Sequence, residues 1–390
     1  MSAVARRRPL RILFVSPAYY PAVAFGGPTW AARELNEGAV AHGNAVRVLT
    51  TTLEDVHSGA SLRTRRADLG GVHVTYLATP LRYRWMGITP TLPLELARAA
   101  RPDVVHVYGF RDPLGWATAA WARRRRIPYV FDPLGMFEPR VRKVRLKRLL
   151  DSSLYRSVWS GAAAIVATSE HEKRQIVQAG VPAARIEIRG NGFPPPDRTG
   201  PTGILRRRLG LDGEQVVLYV GRIARGKGVE ILLDAARRLP DVHVVLAGPD
   251  DGHGVMDDVR AAQADPRTAG RVHALHPDTR PLDLYADADV FVLASEGESF
   301  GMVAAEAAAA GTPVVVTDRC GVSELLRPDG ALVVPYDGDA VRAAVVRLLA
   351  DAPLRDSLRA AAWETAERFS WEAMVERQEE IYRLAIERGA

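Results

Sequence analysis

Short apolar runs alternate with longer amphipathic stretches along almost the whole 390-residue chain. Short apolar runs bounded by turn residues indicate buried strands, and the amphipathic stretches between them indicate helices. In the first half the pattern predicts strands at Arg11–Val15, Val46–Thr51, Val72–Leu77, Val104–Val107, Tyr129–Phe131, Ala163–Ala167 and Arg185–Ile188. It predicts helices at Thr29–His42, Leu92–Ala100, Leu114–Arg124, Val141–Trp159 and Glu170–Ala179. This alternation is typical of an α/β fold with a doubly wound parallel sheet.

A second alternating series follows the turn-rich stretch from Pro194 to Gly203, which is the best candidate for a domain boundary. Its predicted strands are Val216–Val220, His243–Ala247, Val272–Leu275, Val290–Leu293 and Pro313–Thr317. Its predicted helices are Gly228–Leu239, Val255–Ala264, one from about Met302, and then Asp339–Ala350, Leu354–Phe369 and Trp371–Arg388. We therefore predict an N-terminal Rossmann-like domain at 1–195, a linker at 196–212, a second Rossmann-like domain at 213–370, and a C-terminal helix at 371–390 that packs back toward the first domain.

Charge is divided unevenly between the two halves. Residues 1–195 hold 29 Lys and Arg against 14 Asp and Glu, whereas residues 196–390 hold 23 against 32, within a net charge of +6. Such asymmetry suggests that the first half faces an anionic surface: a membrane leaflet, a nucleic acid or an acidic glycan. The single cysteine, Cys320, excludes an internal disulfide and fits a reducing compartment. No apolar stretch approaches the ~18 residues of a membrane-spanning helix.

The basic residues concentrate in RVRKVRLKR, Arg140 to Arg148, with six Lys or Arg in nine positions. A charge run is often only a solvated helix face, but each basic residue near an anionic leaflet contributes ~1 kcal/mol. With Arg123–Arg126 nearby in sequence, the preferred interpretation is a peripheral membrane contact through residues 140–159. No nucleic-acid-reading motif accompanies the charge, so no nucleic-acid partner is expected. We expect a cytoplasmic protein that associates with the inner face of the cell membrane.

The segment SEGESFGMVAAEAAAAGTPVVVTD, Ser295 to Asp318, carries the strongest chemical signal. Phe300 and Gly301 precede a helix whose first backbone N–H groups are unpaired, and such a helix end suits an anion such as phosphate. Glu298 and Glu306 bracket that point, and carboxylates accept hydrogen bonds from hydroxyl groups. Hydroxyls on both sides of a phosphate describe a nucleotide sugar. The alternative, two ordinary solvated glutamates, is weakened by the Ala-rich and buried character of the helix.

Two glycine-containing turns occupy equivalent places in the two halves. GRIARGKG, Gly221 to Gly228, follows the first strand of the second half and carries Arg222 and Lys227, both suited to phosphate oxygens. The turn Phe25–Pro28 follows the first strand of the chain, and its paired glycines permit close approach of the backbone to a ligand. Each could instead be a plain strand-to-helix turn, but the coincidence of place favours ligand contact.

These motifs carry a family resemblance. ESFGMVAAEA resembles the E-x7-E segment of retaining nucleotide-sugar glycosyltransferases of family 4 (GT4), and GRIARGKG resembles the G-R-x-x-x-x-K-G element of that family. The resemblance implies the GT-B fold, two Rossmann-like domains facing a central cleft with C-terminal helices. It also implies metal-independent transfer of a sugar, with retention, from a nucleotide diphosphate sugar to a hydroxyl of a glycan, a (glyco)lipid or a lipid-linked intermediate. No cofactor or metal is expected.

The resemblance also assigns residues. Donor contacts would be Gly26, Gly27, Arg222, Lys227, Glu298, Ser299, Phe300, Gly301, Met302, Val303 and Glu306, and the catalytic candidates are Glu298, Arg222, Lys227 and His106. Many relatives have His-x-His where this chain has His106 and Tyr108, so His106 is either catalytic or a core residue. The acceptor-side candidates are Tyr108, Asp132, Gly135 and Met136.

Three alternatives remain at this stage. A nucleotide-sugar epimerase shares the fold and needs no acceptor. A glycan phosphorylase shares it too, but normally needs a Schiff-base lysine and a longer chain. A non-catalytic membrane-associated partner of polysaccharide assembly would have no use for Glu298, Glu306, Arg222 and Lys227, which are all present.

Overall fold

The computed structural model describes residues 8–55, 60–83, 86–137, 155–275 and 282–389. The chain forms two compact units: unit 1 comprises residues 1–191 and 371–390, and unit 2 comprises residues 192–370. Most of the predicted helix Val141–Trp159, including the basic run 140–148, lies outside the described residues.

Unit 1 is built on an eight-stranded sheet with a separate hairpin. Its strands are β1 Arg11–Ser16, β2 Ala45–Thr51, β3 Arg65–Leu69, β4 Val72–Leu77, β5 Leu81–Tyr83, β6 Met86–Ile88, β7 Val104–Tyr108, β8 Tyr129–Asp132, β9 Ala164–Ala167 and β10 Ile186–Ile188. Its helices are α1 Gly27–Ala41, α2 Leu92–Arg98, α3 Pro113–Arg124, α4 Arg156–Ser160, α5 Glu170–Gln178 and, from the end of the chain, α14 Trp371–Gly389. The sheet order is β10-β9-β8-β7-β1-β2-β4-β3, and β5 pairs with β6.

Every pairing in the large sheet of unit 1 is parallel except that of β3 with β4. Parallel sheets are covered on both faces, which explains why β1, β7 and β9 read as almost continuous apolar runs. Phe14 of β1 lies between Val48 and His106 in the sheet register. The C-terminal helix α14 belongs to this unit, since Ile381 and Tyr382 are buried in its core.

Unit 2 is a six-stranded, fully parallel sheet. Its strands are β11 Gln215–Val220, β12 Val242–Ala247, β13 Val272–Leu275, β14 Val290–Leu293, β15 Val314–Thr317 and β16 Leu332–Val334. Its helices are α6 Ile204–Leu209, α7 Val229–Arg238, α8 Val255–Ala264, α9 Leu282–Tyr285, α10 Met302–Ala309, α11 Ser323–Leu326, α12 Gly338–Ala350 and α13 Ala352–Arg368. The order β13-β12-β11-β14-β15-β16 is that of a Rossmann fold, and its direction reverses between β11 and β14.

Residues 196–212, predicted as a linker between the domains, belong to unit 2. Phe193 is buried and its N–H donates to the Phe369 carbonyl at 2.8 Å, while the Asp197 N–H donates to the Ala309 carbonyl at 2.8 Å. The Asp287 carboxylate accepts from the N–H groups at the start of α6, which stabilises that short helix. The composition indicated turns, but these distant partners order the segment.

No helix of the described ranges combines the length and the apolar character needed to cross a membrane.

Candidate functional site

In unit 2, two loops meet where the strand order reverses. Residues 221–228 follow β11 and residues 294–301 follow β14, so both loops lie at the carboxyl edge of the sheet. The Glu296 N–H donates to the Gly226 carbonyl at 2.8 Å. Gly228 has φ +80°, and a Cβ atom there would lie 2.1 Å from the Ala294 carbonyl oxygen. Only glycine fits that position, because it permits both the left-handed backbone and the close approach.

An ion pair joins the two loops. Lys227 Nζ lies 2.5 Å from Glu298 Oε1, and the side chains are 21% and 24% exposed. Ser295 Oγ donates to the same carboxylate oxygen at 3.3 Å. The Glu298 backbone is fixed on both sides, since its N–H donates to the Arg319 carbonyl and its carbonyl accepts from the Gly321 N–H, each at 3.2 Å. The predicted donor-binding cation and carboxylate are thus adjacent, ordered and accessible.

Helix α10 begins beside this pair with an uncapped N-terminus. Gly301 is the N-cap residue with φ +104°, no side chain caps the helix, and its first turn contains no acidic residue. The first N–H groups of such a helix lack intrahelical partners and attract anions. Phe300 is buried, while Met302 and Val303, like Ser299, are half-buried. The predicted backbone anion site therefore directly follows the loop that carries Glu298, the partner of Lys227.

Glu306 lies on α10, one turn beyond Met302, and has a partner that the sequence did not indicate. Tyr285 Oη donates to Glu306 Oε2 at 2.7 Å. Burial raises the pKa of Glu306, and the hydrogen bond from Tyr285 partly opposes this effect. Tyr285 is buried, and burial together with the nearby Glu306 charge raises its pKa well above the usual value. The residues are 21 positions apart and belong to no shared motif, so only the fold brings them together.

Arg222 is exposed and contributes its main chain to the turn, where its carbonyl accepts from Tyr219 Oη at 2.8 Å. Within the described part of the chain its guanidinium forms no ion pair. The positive charge of Arg222 is consequently available to an anion at this edge.

The loop after β12 is a neighbour that the sequence analysis missed. The Ile223 N–H donates to the Pro249 carbonyl at 2.9 Å, and the Asp251 N–H donates to the Ile223 carbonyl at 3.3 Å. These bonds attach the loop after β12 to the Gly221–Gly228 loop. A run of Pro, Asp and Gly residues was a turn signal, but nothing in it indicated which loop it would pair with.

In unit 1, the predicted Gly26–Gly27 turn also lies where the strand order reverses, between β1 and β7. Gly26 has φ +81° and ψ −151°, a conformation essentially restricted to glycine. It precedes the uncapped N-terminus of α1, whose first turn contains no acidic residue. Tyr108 is buried and its Oη donates to the Pro28 carbonyl at 3.1 Å, so its phenol supports this turn.

His106 is enclosed in the core of unit 1. It is 0% exposed, its Nδ1 lies 2.7 Å from Tyr382 Oη, and its ring packs against Phe14 with a centroid distance of 4.7 Å. Burial lowers the pKa of His106 well below its usual value, which favours the neutral ring. This placement favours the core role over the catalytic role for His106.

The acceptor-side candidates lie on a buried polar network. Asp132 and Arg189 are both 0% exposed and form an ion pair of 2.9 Å, and Arg189 also donates to Gln378 Oε1 at 2.9 Å. Burial raises the pKa of Asp132 even though Arg189 opposes this effect. Gly135 is half-buried, and its N–H donates to the buried Glu172 carboxylate at 2.6 Å. Met136 is half-buried in the same loop. Asp132 therefore anchors the loop from within.

In the described ranges, no group of three or more His, Cys, Asp or Glu side chains is arranged to hold a metal ion.

Comparisons with known proteins agree with this architecture. A family model described as "Glycosyl transferases group 1" matches residues 203–365, and one described as "Glycosyl transferase 4-like domain" matches residues 26–192. A D-inositol 3-phosphate glycosyltransferase of Mycolicibacterium gilvum is 34% identical over 247 residues, covering 60% of this chain and 52% of the relative. The chain thus matches about half the length of that curated relative.

Solved structures resemble nearly the whole chain. Sucrose-phosphate synthase from Thermosynechococcus elongatus has a TM-score of 0.76 at 24% identity, covering 97% of this chain and 98% of its own. The HepE protein of Anabaena, in complex with UDP and glucose, has a TM-score of 0.76 at 18% identity, covering 95% and 98%. These likenesses confirm the predicted fold.

Proposed function

Because the chain belongs to the group 1 glycosyltransferases of family GT4 and has the GT-B fold, we propose that it transfers a sugar from a nucleotide diphosphate sugar to an acceptor hydroxyl, with retention at the anomeric carbon. The observation that carries the proposal is the Lys227–Glu298 pair beside the uncapped N-terminus of α10. It supplies a cation, a hydroxyl acceptor and free N–H groups at the strand-order reversal, where ligands of such sheets bind.

In the proposed complex the diphosphate lies between Lys227, Arg222 and the N–H groups at Phe300, Gly301 and Met302. Glu298 accepts hydrogen bonds from hydroxyls of the transferred sugar. Glu306 accepts hydrogen bonds from the ribose hydroxyls, and Tyr285 occupies only one of its two oxygens. The hydroxyl–phosphate–hydroxyl order of a nucleotide sugar then matches the order of Glu306, the α10 N-terminus and Glu298 along the chain.

The proposed reaction is a front-face substitution. The bond between the anomeric carbon and the phosphate oxygen breaks, the acceptor oxygen bonds to that carbon on the same face, and the acceptor proton passes to the departing phosphate oxygen. Negative charge grows on the leaving diphosphate, and Arg222, Lys227 and the α10 N–H groups stabilise it in the transition state. Since Lys227 and the α10 N–H groups are held in place by the 221–228 and 294–301 loops, they need little reorganisation. We propose that this arrangement acts without a metal ion.

The acceptor is proposed as a hydroxyl of a glycan, glycolipid or lipid-linked intermediate in polysaccharide biosynthesis. The curated relative is named for D-inositol 3-phosphate, which is itself a polyhydroxyl compound. We favour the half-buried backbone at Gly135 and Met136 as the acceptor-side surface. Asp132 and Glu172 hold this loop in place. Cytoplasmic location and peripheral contact with the inner membrane face through residues 140–159 remain part of this proposal, and most of that segment lies outside the described residues.

The test is a thermal-shift and calorimetric screen with UDP-, GDP-, ADP- and dTDP-sugars in the presence of EDTA. A ligand at 100 times its dissociation constant stabilises the fold by about 2.7 kcal/mol. We expect one nucleotide base to produce a shift that Lys227→Ala and Arg222→Ala each weaken. Arg260→Ala is the matched control, because Arg260 is an exposed arginine of the same unit that pairs with Asp257.

Two outcomes would contradict the proposal. Binding that survives both Lys227→Ala and Arg222→Ala would mean that the nucleotide lies elsewhere. An epimerase would be identified if chromatography showed that the nucleotide sugar is converted to a different nucleotide sugar when no acceptor is present. Transfer is established when a labelled sugar appears in an acceptor fraction and the nucleoside diphosphate is released in equal amount.

A further inference from the structure

A second cationic site lies at the opposite edge of the unit 1 sheet, at the amino ends of β8 and β9. A cavity of about 510 Å³ opens there, and the described residues of its walls include four arginines and no acidic residue. The arginines are Arg123, Arg126, Arg185 and Arg388, and we call this cavity the arginine pocket. The carboxyl ends of the strands, where the predicted ligand contacts of unit 1 lie, are at the other edge of the same sheet.

Three of these arginines are held in place mainly by carbonyl groups. Arg123 Nη1 donates to the Ser157 carbonyl at 2.7 Å, and Arg185 Nη2 donates to the Ser160 carbonyl at 2.9 Å. Arg388 Nη2 donates to the Ala184 carbonyl at 3.2 Å and to Glu187 Oε1 at 3.0 Å. Carbonyl groups orient a guanidinium without cancelling its charge.

Little negative charge balances the pocket. Among the described residues, Glu187 is the carboxylate that pairs with a pocket arginine, and it is shared with Arg377 at 3.0 Å. Among the described residues, the Arg126 guanidinium has neither an ion pair nor a hydrogen bond, although its carbonyl accepts from Arg101 at 3.2 Å. Counted over the described residues, the pocket therefore holds more positive charge than its surroundings neutralise.

The backbone of Arg126 is unusual for an arginine. It follows α3 with φ +53°, in the left-handed position that glycine commonly fills after a helix. In the described structure, no hydrogen bond or ion pair of its side chain explains why position 126 is an arginine.

We propose that the arginine pocket binds a phosphate-bearing group at a site separate from the proposed nucleotide-sugar site. Four arginines line this cavity, and guanidinium groups match the geometry of phosphate oxygens and form charge-assisted hydrogen bonds with them. Ile127 and Pro128 provide an apolar floor beside the arginines. A free diphosphate or sugar phosphate and a phospholipid headgroup share this chemistry, and the experiment separates the two sources.

The test uses the full chain carrying Arg222→Ala and Lys227→Ala, which removes the phosphate-binding side chains proposed for the donor site. Inorganic pyrophosphate is titrated calorimetrically, and flotation is measured with phosphatidylcholine vesicles that contain or lack phosphatidylglycerol. Arg126→Gly removes the charge at a backbone position that favours glycine, so folding is retained. Arg124→Ala is the control, because Arg124 is an exposed neighbour on α3 that does not line the pocket.

If the natural ligand is a free phosphate compound, we expect pyrophosphate to bind. Its affinity should fall at least about tenfold in Arg126→Gly and stay unchanged in Arg124→Ala. If the natural ligand is a phospholipid headgroup, we expect the protein to float with vesicles that contain phosphatidylglycerol. Arg126→Gly should reduce this flotation, and Arg124→Ala should not. Either result supports the pocket, and both signals should fall with added salt. The proposal is overturned if neither pyrophosphate binding nor flotation distinguishes Arg126→Gly from Arg124→Ala. Failure of the proposed donor site would be seen separately, as the absence of nucleotide-sugar binding by the unsubstituted chain.

Discussion

Lys227 and Glu298 form an ion pair that stays partly exposed to solvent, and ion pairs in contact with solvent contribute little to folding stability. Their contribution is to orient each other's side chains for ligand binding. Glu298 uses one carboxylate oxygen for Lys227 and Ser295, and its backbone is fixed by Arg319 and Gly321, so the other oxygen is presented in a set direction. The ammonium group of Lys227 retains further N–H donors for a phosphate. The pair thus prepares both proposed ligand contacts before a donor binds.

Substitution of Glu306 by glutamine should change the affinity for the nucleotide sugar without lowering the stability of the fold. Burial raises the pKa of Glu306, so the folded state binds a proton more tightly than the unfolded chain does. The stability that this group contributes is present below the ordinary pKa of about 4.3 and is lost as pH rises through the folded value. Glu306→Gln should therefore be at least as stable as the parent at pH 7, yet bind the nucleotide sugar about tenfold more weakly.

Thermal unfolding across pH 4 to 8 and donor titration at pH 7 check this expectation. Glu364→Gln is the control, because Glu364 is an exposed glutamate on α13. Tyr285→Phe should push the pKa of Glu306 still higher, since it removes the hydrogen bond that stabilises the carboxylate. A Glu306→Gln variant with undiminished donor affinity would exclude Glu306 from the ribose contact.

At the scale of elements, burial decides which strands the sequence reveals. Strands such as β1 and β14 are buried on both faces, so their apolar runs predict them to within a residue or two. Strand β3 has the sequence RRADL and contains no fully buried residue, so no apolar pattern marks it. Strand β16 is three residues long and only half-buried. Edge strands are defined by pairing with a neighbour rather than by their own pattern.

The same distinction applies to the candidate site. Arg222, Lys227 and Glu298 could be predicted because each lies in the loop directly after a recognisable strand. Tyr285 beside Glu306, and Arg189 beside Asp132, could not, because each pair joins segments far apart in sequence. A motif records neighbours along the chain, whereas buried polar groups require partners that only packing supplies.

Gly228→Ala tests the contact between the two loops of unit 2. A Cβ atom at Gly228 would lie 2.1 Å from the Ala294 carbonyl oxygen, so the loops must separate. Gly200 has nearly the same φ, +84° against +80°, but its Cβ would meet nothing within 4 Å. Both alanines carry the left-handed strain of roughly 1–2 kcal/mol, and Gly228→Ala adds a steric cost of about 1–3 kcal/mol.

Urea unfolding should therefore place Gly228→Ala below Gly200→Ala in stability. Donor affinity should fall only in Gly228→Ala, because displacing the loops displaces Lys227 from Glu298. Equal unfolding free energies for the two variants would show that the loop contact is not rigid.

At the scale of the whole molecule, the chain leaves unit 1 at residue 191 and returns to it at residue 371. The stretch after residue 195 was predicted as a turn-rich linker, and composition alone could not indicate the bonds by which Phe193 and Asp197 join the unit 2 helices. The return is made by α14, which completes the core of unit 1 rather than that of unit 2. Tyr382 holds His106 Nδ1 at 2.7 Å, and Gln378 holds Arg189.

Truncation after Ser370 should consequently destabilise unit 1 selectively. Burying a side chain such as Ile381 or Tyr382 contributes about 1.5–3 kcal/mol, and removing α14 also leaves His106 without its partner in a buried position. Hydrogen–deuterium exchange should accelerate in β7, β8 and β9 and change little in β11 and β14. Tyr382→Ala, a milder lesion, should give the same pattern at smaller amplitude. Exchange that rises equally in both units would mean that their stabilities are coupled, and that α14 does not act as a component of unit 1 alone.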